Sequence, residues 1–404
     1  MDIDSVRRDF PGLQSEAHGK SLIYFDNAAT TQKPLTVIDA MVDYYRNYTA
    51  NVHRGIYHHS EKATNRYEAV REAVARFISA PSAKNIVFTR GTTESINLVA
   101  YAWARRELGP DDEVLITEME HHSNLVPWQT VCRETGATLK VIPMTQSGTL
   151  DLSHLDRLLS PHTKLVAVTQ QSNIFGTINP VENIITRAHE KGALVLVDGA
   201  QSVPHMPVNV TDMDCDFFAF SGHKMLGPTG VGVLYAKSEI LESMEPFQGG
   251  GEMIDRVTLE ATTWNVPPYR FEAGTPAIAQ VIGLGAAIEY LESLPLQDIA
   301  ATEHVLWRQA REALSTVPGL HLYGPDKACG PVLLFTIDGV PAADLAQFLD
   351  QDGIAVRAGH HCAQPALQAL GVNSTVRASF YFYNTSEEID YFIAALKTTL
   401  KYFQ

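Results

Sequence analysis

Ser221-Gly222-His223-Lys224 follows a strand-like apolar run, residues 215–220, and Asp198 closes a second such run, residues 193–197. Both polar residues therefore fall at the carboxyl ends of short buried strands, where open α/β sheets bind their ligands. A lysine amine able to form an imine, with an aspartate able to keep a pyridine nitrogen protonated, is the minimum equipment for pyridoxal phosphate. Taken alone, a lysine after a strand is more often a solvated turn residue, and Asp198 equally suits capping a helix that starts at Ala200. The small residues from Ser221 to Gly230 leave room for a ligand. A lysine in such a setting has its pKa lowered and serves as nucleophile and base. Gln201, three residues after Asp198, is placed to donate to the phenolic oxygen of the ring.

Further candidates carry the rest of the chemistry. Gly91-Thr92-Thr93 lies at a predicted helix start, where exposed N–H groups and the helix dipole favour a phosphate and the Thr93 hydroxyl adds a donor. Ser221 and His223 are further phosphate donors, although threonine at a helix start is also a common cap. His121-His122 follows Glu120 at another strand end. The pair matches no metal spacing; it reads either as one imidazole stacked on a flat ring or as a hydrogen-bonded surface pair. Cys362 lies in Arg357-Ala358-Gly359-His360-His361-Cys362-Ala363, where Arg357, His360 and His361 are expected to favour the thiolate. Cys132, Cys215 and Cys329 lack such a setting. Arg377 suits a bidentate clamp on a substrate carboxylate, or an ordinary surface ion pair.

The elements that must position these residues are short Val/Ile/Leu runs alternating with helical stretches, which predicts an α/β fold with a mostly parallel sheet covered on both faces. Predicted strands include residues 85–89, 113–117, 138–143 and 164–169, and 232–235 is expected to pair antiparallel beside the Lys224 strand. A helix is expected over 95–106. The chain has 404 residues, 45% of them apolar and 19% charged, enough for about two cores. The expected division is a large domain over 15–290 and a smaller α+β domain made of 1–14 and 291–404. A long helix over roughly 278–294 links them. Strands at 332–337 and 354–357 belong to the smaller one.

A net charge of −15 without clustered Lys/Arg argues against nucleic acid as the main partner. Met1-Asp2-Ile3-Asp4 lacks the basic-then-apolar order of a signal peptide, and no apolar run approaches the ~20 residues that span a bilayer. A cytoplasmic protein without membrane contact is expected. Four cysteines without a Cys-x-x-Cys pair point to neither a disulfide framework nor a structural zinc site, so no metal is expected.

Over nearly its whole length, the chain resembles the group II cysteine desulfurases of the SufS/CsdA type, which also act on selenocysteine and belong to the class V, fold type I pyridoxal-phosphate enzymes. The resemblance rests on Asn51-Val52-His53-Arg54-Gly55, Arg90-Gly91-Thr92-Thr93-Glu94, Glu120-His121-His122, Val197-Asp198-Gly199-Ala200-Gln201, Ser221-Gly222-His223-Lys224, Phe271-Glu272-Ala273-Gly274-Thr275-Pro276 and the Cys362 segment. It implies a large domain built on a seven-stranded type of sheet. It implies that Lys224 carries the cofactor, that Asp198 and Gln201 hold its ring, and that His121 stacks on it with a catalytic role. Thr92, Thr93, Ser221 and His223 would bind the phosphate, with Thr275 reaching in from the second subunit of a homodimer. Asn173 and Arg377 would hold the substrate carboxylate, His53, Arg54 and Arg357 would line the entrance, and Cys362 would accept the sulfur as a persulfide. The short His-His-Cys-Ala segment implies a dedicated acceptor, SufE-like or SufU-like, in iron–sulfur cluster assembly. Glu252 receives no role. The competing readings are another class V enzyme, such as an aminotransferase or a kynureninase-like lyase, and a non-catalytic scaffold that kept a cofactor pocket.

Overall fold

Seven strands carry the ligand-facing ends in the computed structural model, which describes residues 2–403. They are β1 (Ile86–Thr89), β2 (Glu113–Thr117), β3 (Thr138–Ile142), β4 (Thr163–Thr169), β5 (Leu194–Asp198), β6 (Phe217–Ser221) and β7 (Gly232–Ala236). Their order is β1-β7-β6-β5-β4-β2-β3. β7 runs antiparallel to both β1 and β6, and β6, β5, β4, β2 and β3 pair in parallel.

The unbroken apolar runs follow from burial on both faces. Phe218 and Phe220 of β6 pack into one core cluster, and Phe217 and Ala219 into the cluster on the opposite face. With period-2 side chains, only a sheet covered on both sides buries consecutive residues this way. Each fully buried Val, Leu, Ile or Phe gives roughly 1.5–3 kcal/mol relative to exposure, so the apolar strand bodies can fix the polar residues at their ends.

The helix after β1 starts earlier than expected. It is α1 (Thr92–Val99), continued by a π turn at Ala100–Ala104 and a short helical segment, Arg105–Glu107. α2 (Ile278–Ser293) packs against the large core, and α3 (Leu296–Ser315) follows it. The smaller sheet has the order β8-β9-β11-β10, with β8 (Leu320–Tyr323), β9 (Val332–Ile337), β10 (Arg357–Gly359) and β11 (Thr375–Ser379). Its core takes Leu306, Trp307 and Leu314 from α3, and Ile389, Phe392 and Leu396 from α4 (Ser386–Thr399).

Two expectations need correction. Ile354–Ala355 does not join β10 in one strand; it pairs in parallel with Ile23–Tyr24. The N-terminal segment is also divided differently. Val6, Phe10 and Leu13 pack into the large core, whereas Ile23 and Phe25 pack into the small one. The boundary placed at residues 14 and 15 is therefore reversed in its packing. No helix among the described residues is long and apolar enough to cross a membrane.

Candidate active site

The carboxyl ends of the central strands meet residues 357–362 and Arg377 of the smaller sheet around a cavity of about 460 Å³. Lys224 enters from a single helical turn, Gly222–Lys224, directly after β6. Burial pushes its ammonium down to about 8, against the pull of the Asp198 carboxylate and with help from the charge of Arg377. A neutral amine is therefore accessible near physiological pH. Asp198 ends β5 and is buried, which raises its pKa. Its Oδ1 accepts the Ala200 N–H at 2.9 Å. No helix begins at Ala200, so the carboxylate holds a turn rather than a helix end. The Gln201 side chain gives one amide hydrogen to the Ala28 carbonyl at 2.7 Å, leaving its second free for a ring oxygen.

A second set forms the polar end of the cavity. Ser221 Oγ accepts the Thr92 N–H at 2.8 Å and lies 2.7 Å from Thr92 Oγ1. β6 and the start of α1 are thereby joined, with Thr93 exposed beside them on the cavity wall. Gly232 is required here: a Cβ on it would lie 2.3 Å from Gly91 Cα, so only glycine lets β7 pass the turn into α1. His223 also lines the cavity, and burial pushes its imidazole down to about 4, aided by the charges of Lys224 and Lys33.

His121 follows β2 on the cavity wall. Burial pushes it down to about 3, and the neighbouring Lys224 charge adds to the shift, so the ring is neutral. Its Nδ1 accepts the Ser123 N–H at 3.1 Å, which places the ring proton on Nε2. Glu120, the residue before it, accepts from Thr117 Oγ1 at 2.7 Å, Asn124 Nδ2 at 2.6 Å and the Thr169 N–H at 2.9 Å. These bonds tie the His121 turn to β4, while burial pushes the carboxyl up to about 8.

The opposite wall comes from the smaller sheet. Val376 and Ala378 face its core, so the intervening Arg377 faces the cavity. Arg377 is buried, gives one N–H to the Asn173 carbonyl at 2.9 Å and another to Asp26 Oδ1 at 3.2 Å, and keeps its Nε without a partner among the described residues. Arg357 lies directly across from Arg377 in the β10–β11 register. Two like charges so placed repel, and Asp26 relieves this by also accepting Arg357 Nη2 at 2.7 Å. Asn173 spends one amide hydrogen on the His361 carbonyl at 2.8 Å.

Cys362 is exposed at the cavity and near enough to Lys224 for its charge to be felt there. The separation of 138 positions along the chain therefore closes in space. His361 does not contribute the positive charge expected of it. Burial pushes it down to about 3, and its Nε2 pairs with Thr375 Oγ1 at 2.9 Å.

Three expected residues stay away from the cavity of their own chain. His53 pairs with Glu68 at 2.8 Å, Arg54 with Glu252 at 2.8 Å, and Thr275 lines a separate recess beside Tyr67 and Phe88. Glu252 thus acquires a partner that nothing in the sequence pointed to. Asp26 and Glu120 are site residues that sequence reasoning missed; the only hint was their presence inside the quoted motifs.

The donor set fits pyridoxal phosphate. A depressed lysine amine faces a buried carboxylate across one cavity, a neutral imidazole stands at its wall, and hydroxyl and N–H groups cluster at a helix start.

The family described as Aminotransferase class-V matches residues 23–392. A protein of Halalkalibacterium halodurans named probable cysteine desulfurase is 52% identical over 403 residues, covering 100% of this chain and 99% of the relative. A cysteine desulfurase of Klebsiella pneumoniae subsp. pneumoniae is 51% identical, covering 99% of each chain. The crystal structure of the Escherichia coli cysteine desulfurase CsdA, as its S-sulfonic acid, superposes with a TM-score of 0.94 at 42% identity, covering 100% of both chains.

Proposed function

The chain belongs to the class-V aminotransferase family, and from that premise we propose that it is a pyridoxal-phosphate-dependent cysteine desulfurase. It converts L-cysteine to L-alanine and leaves the sulfur as a persulfide on Cys362. The observation that carries this reading is the placement of Lys224, Arg377 and Cys362 around one cavity. An aminotransferase needs the first two; only sulfur transfer uses the third.

Bound pyridoxal phosphate supplies an electrophilic carbonyl and an electron sink. The chain's own residues do the rest. Lys224 holds the cofactor, and its amine, neutral above about pH 8, takes the substrate Cα proton. Asp198 keeps the ring nitrogen protonated, and His121 covers the ring as a neutral imidazole. Thr92, Thr93, Ser221 and His223 hold the phosphate. The free Nε of Arg377 and the remaining amide hydrogen of Asn173 receive the substrate carboxylate. Cys362 Sγ, as thiolate, attacks the substrate sulfur. The new S–S bond forms as Cβ–S breaks, and the released electron pair stays on Cβ, which is protonated to give alanine. No external oxidant is consumed. A thiol then takes the terminal sulfur by exchange.

The finer assignments belong to the same proposal. Thr275, His53 and Arg54 lie away from their own cavity, which supports a homodimer in which they serve the partner's site. The exposed Cys362 on a short segment supports a SufE-like or SufU-like acceptor and a role in iron–sulfur cluster assembly in the cytoplasm. Selenocysteine lyase activity follows from the same geometry, because the C–Se bond breaks in place of C–S. The test is product analysis with L-cysteine and dithiothreitol. Alanine and sulfide in equal amounts are expected. Pyruvate with ammonia, or transfer of the amino group to an added keto acid, would replace this reading with a lyase or an aminotransferase.

A further inference from the structure

His361 and Cys362 are consecutive non-glycine residues with φ of +50° and +56°. Residues with a Cβ disfavour this left-handed region, so the segment depends on its contacts to stay in place. His122 supplies two of them and brackets the cysteine. Its N–H donates to the Cys362 carbonyl at 2.7 Å, and its Nε2 accepts the Gln364 N–H at 3.2 Å. The other contacts are weaker or further along. His360 Nδ1 accepts the Cys362 N–H at 3.3 Å, and Asn173 reaches the His361 carbonyl. The His122 and His360 rings lie 5.7 Å apart, tilted by 34°.

His122 has no place on the cavity wall, unlike His121. We propose that the His122 imidazole is a positioning residue: as a neutral acceptor for the Gln364 N–H, it pins the strained segment so that Cys362 Sγ faces the substrate sulfur. The inference rests on the desulfurase reading. The acceptor role requires Nε2 to be unprotonated, with the ring proton on Nδ1. Burial and the adjacent His360 both lower the pKa of His122, in keeping with that requirement. The backbone bond from His122 to Cys362 survives any substitution, so the side-chain bond can be tested separately.

The experiment compares His122→Phe, which keeps a flat ring but no acceptor, with His122→Gln, whose Oε1 can replace Nε2. Both are made in the holoenzyme. The readouts are the visible absorbance of lysine-bound cofactor, the KM for L-cysteine, the single-turnover rate of persulfide formation on Cys362, and amide hydrogen exchange over residues 359–364. For His122→Phe, the persulfide rate should fall on the order of tenfold, the worth of one hydrogen bond. Exchange should quicken, with absorbance and KM unchanged, and His122→Gln should regain most of the loss. A wild-type rate with unchanged exchange in His122→Phe would overturn the proposal, as would a His122→Gln variant impaired as much as His122→Phe. If the wild-type protein forms no persulfide, the functional reading fails. The exchange comparison then still decides whether His122 pins the segment.

Discussion

The two walls of the cavity are built on opposite physical principles. The wall of the large sheet takes its residues from the ends of fully buried strands, where packing on both faces fixes the backbone and desolvation shifts the titrating groups. Lys224, Asp198, His121 and His223 are all moved by burial. The wall of the smaller sheet ends in an exposed cysteine on a left-handed turn, held by hydrogen bonds to the other wall. The first arrangement suits a group that must remain bound through every turnover. The second suits a nucleophile that must meet first a substrate and then an external acceptor. Low local stability is a common property of segments that move in function.

Substitutions should separate the walls cleanly. Lys224→Ala, on the first wall, should abolish both alanine formation and the visible absorbance of lysine-bound cofactor. Retention of that absorbance would remove Lys224 from its role. Cys362→Ser, on the second, should abolish desulfuration of L-cysteine while leaving the absorbance intact, and full turnover by this variant would dissolve the distinction. Arg377→Lys joins the two in substrate binding. An ammonium cannot reproduce the planar fork, and losing one hydrogen bond to a charged group costs about 1.5–3 kcal/mol. The KM for L-cysteine should therefore rise on the order of tenfold to a hundredfold, with Cys362 still alkylated by iodoacetamide at the wild-type rate.

The smallest of these effects is a pH dependence confined to the first wall. Burial lowers the Lys224 pKa from 10.5 to about 8, and only the neutral amine captures the cofactor's carbonyl. Recapture of pyridoxal phosphate by apoenzyme should speed up as pH rises toward 8 and level off above it. A rate still climbing steeply between pH 9 and 10 would show that the lysine is not desolvated as described.

The first wall was legible in the sequence because burial on both faces leaves continuous apolar runs, and the polar residues that interrupt them stand out. Lys224 and Asp198 were found in this way, and Thr92 and Ser221 by their places at the turn into α1 and at the end of β6. The second wall was legible only in its chemistry. Cys362 and Arg377 could be named as reactive types, but their approach to Lys224 depends on how the smaller sheet docks, and no local pattern encodes that. Asp26 escaped because its two arginine partners lie 331 and 351 positions away and become neighbours only through the β10–β11 register. His361 was misjudged because its sequence neighbours suggest exposure, whereas its ring is buried against Thr375. The N-terminal segment was misplaced for a similar reason: an apolar residue such as Phe10 carries no address for one core over another.

The most direct test of the account is a single turnover without reductant. Purified holoenzyme is mixed with L-cysteine in slight excess over sites, alanine is counted per subunit, and the added sulfur is located by peptide mass. One alanine per subunit, with one extra sulfur atom on the peptide that contains Cys362, is the predicted result. Alanine accompanied by free sulfide, with the Cys362 peptide unmodified, would contradict the assignment of the second wall as the sulfur acceptor.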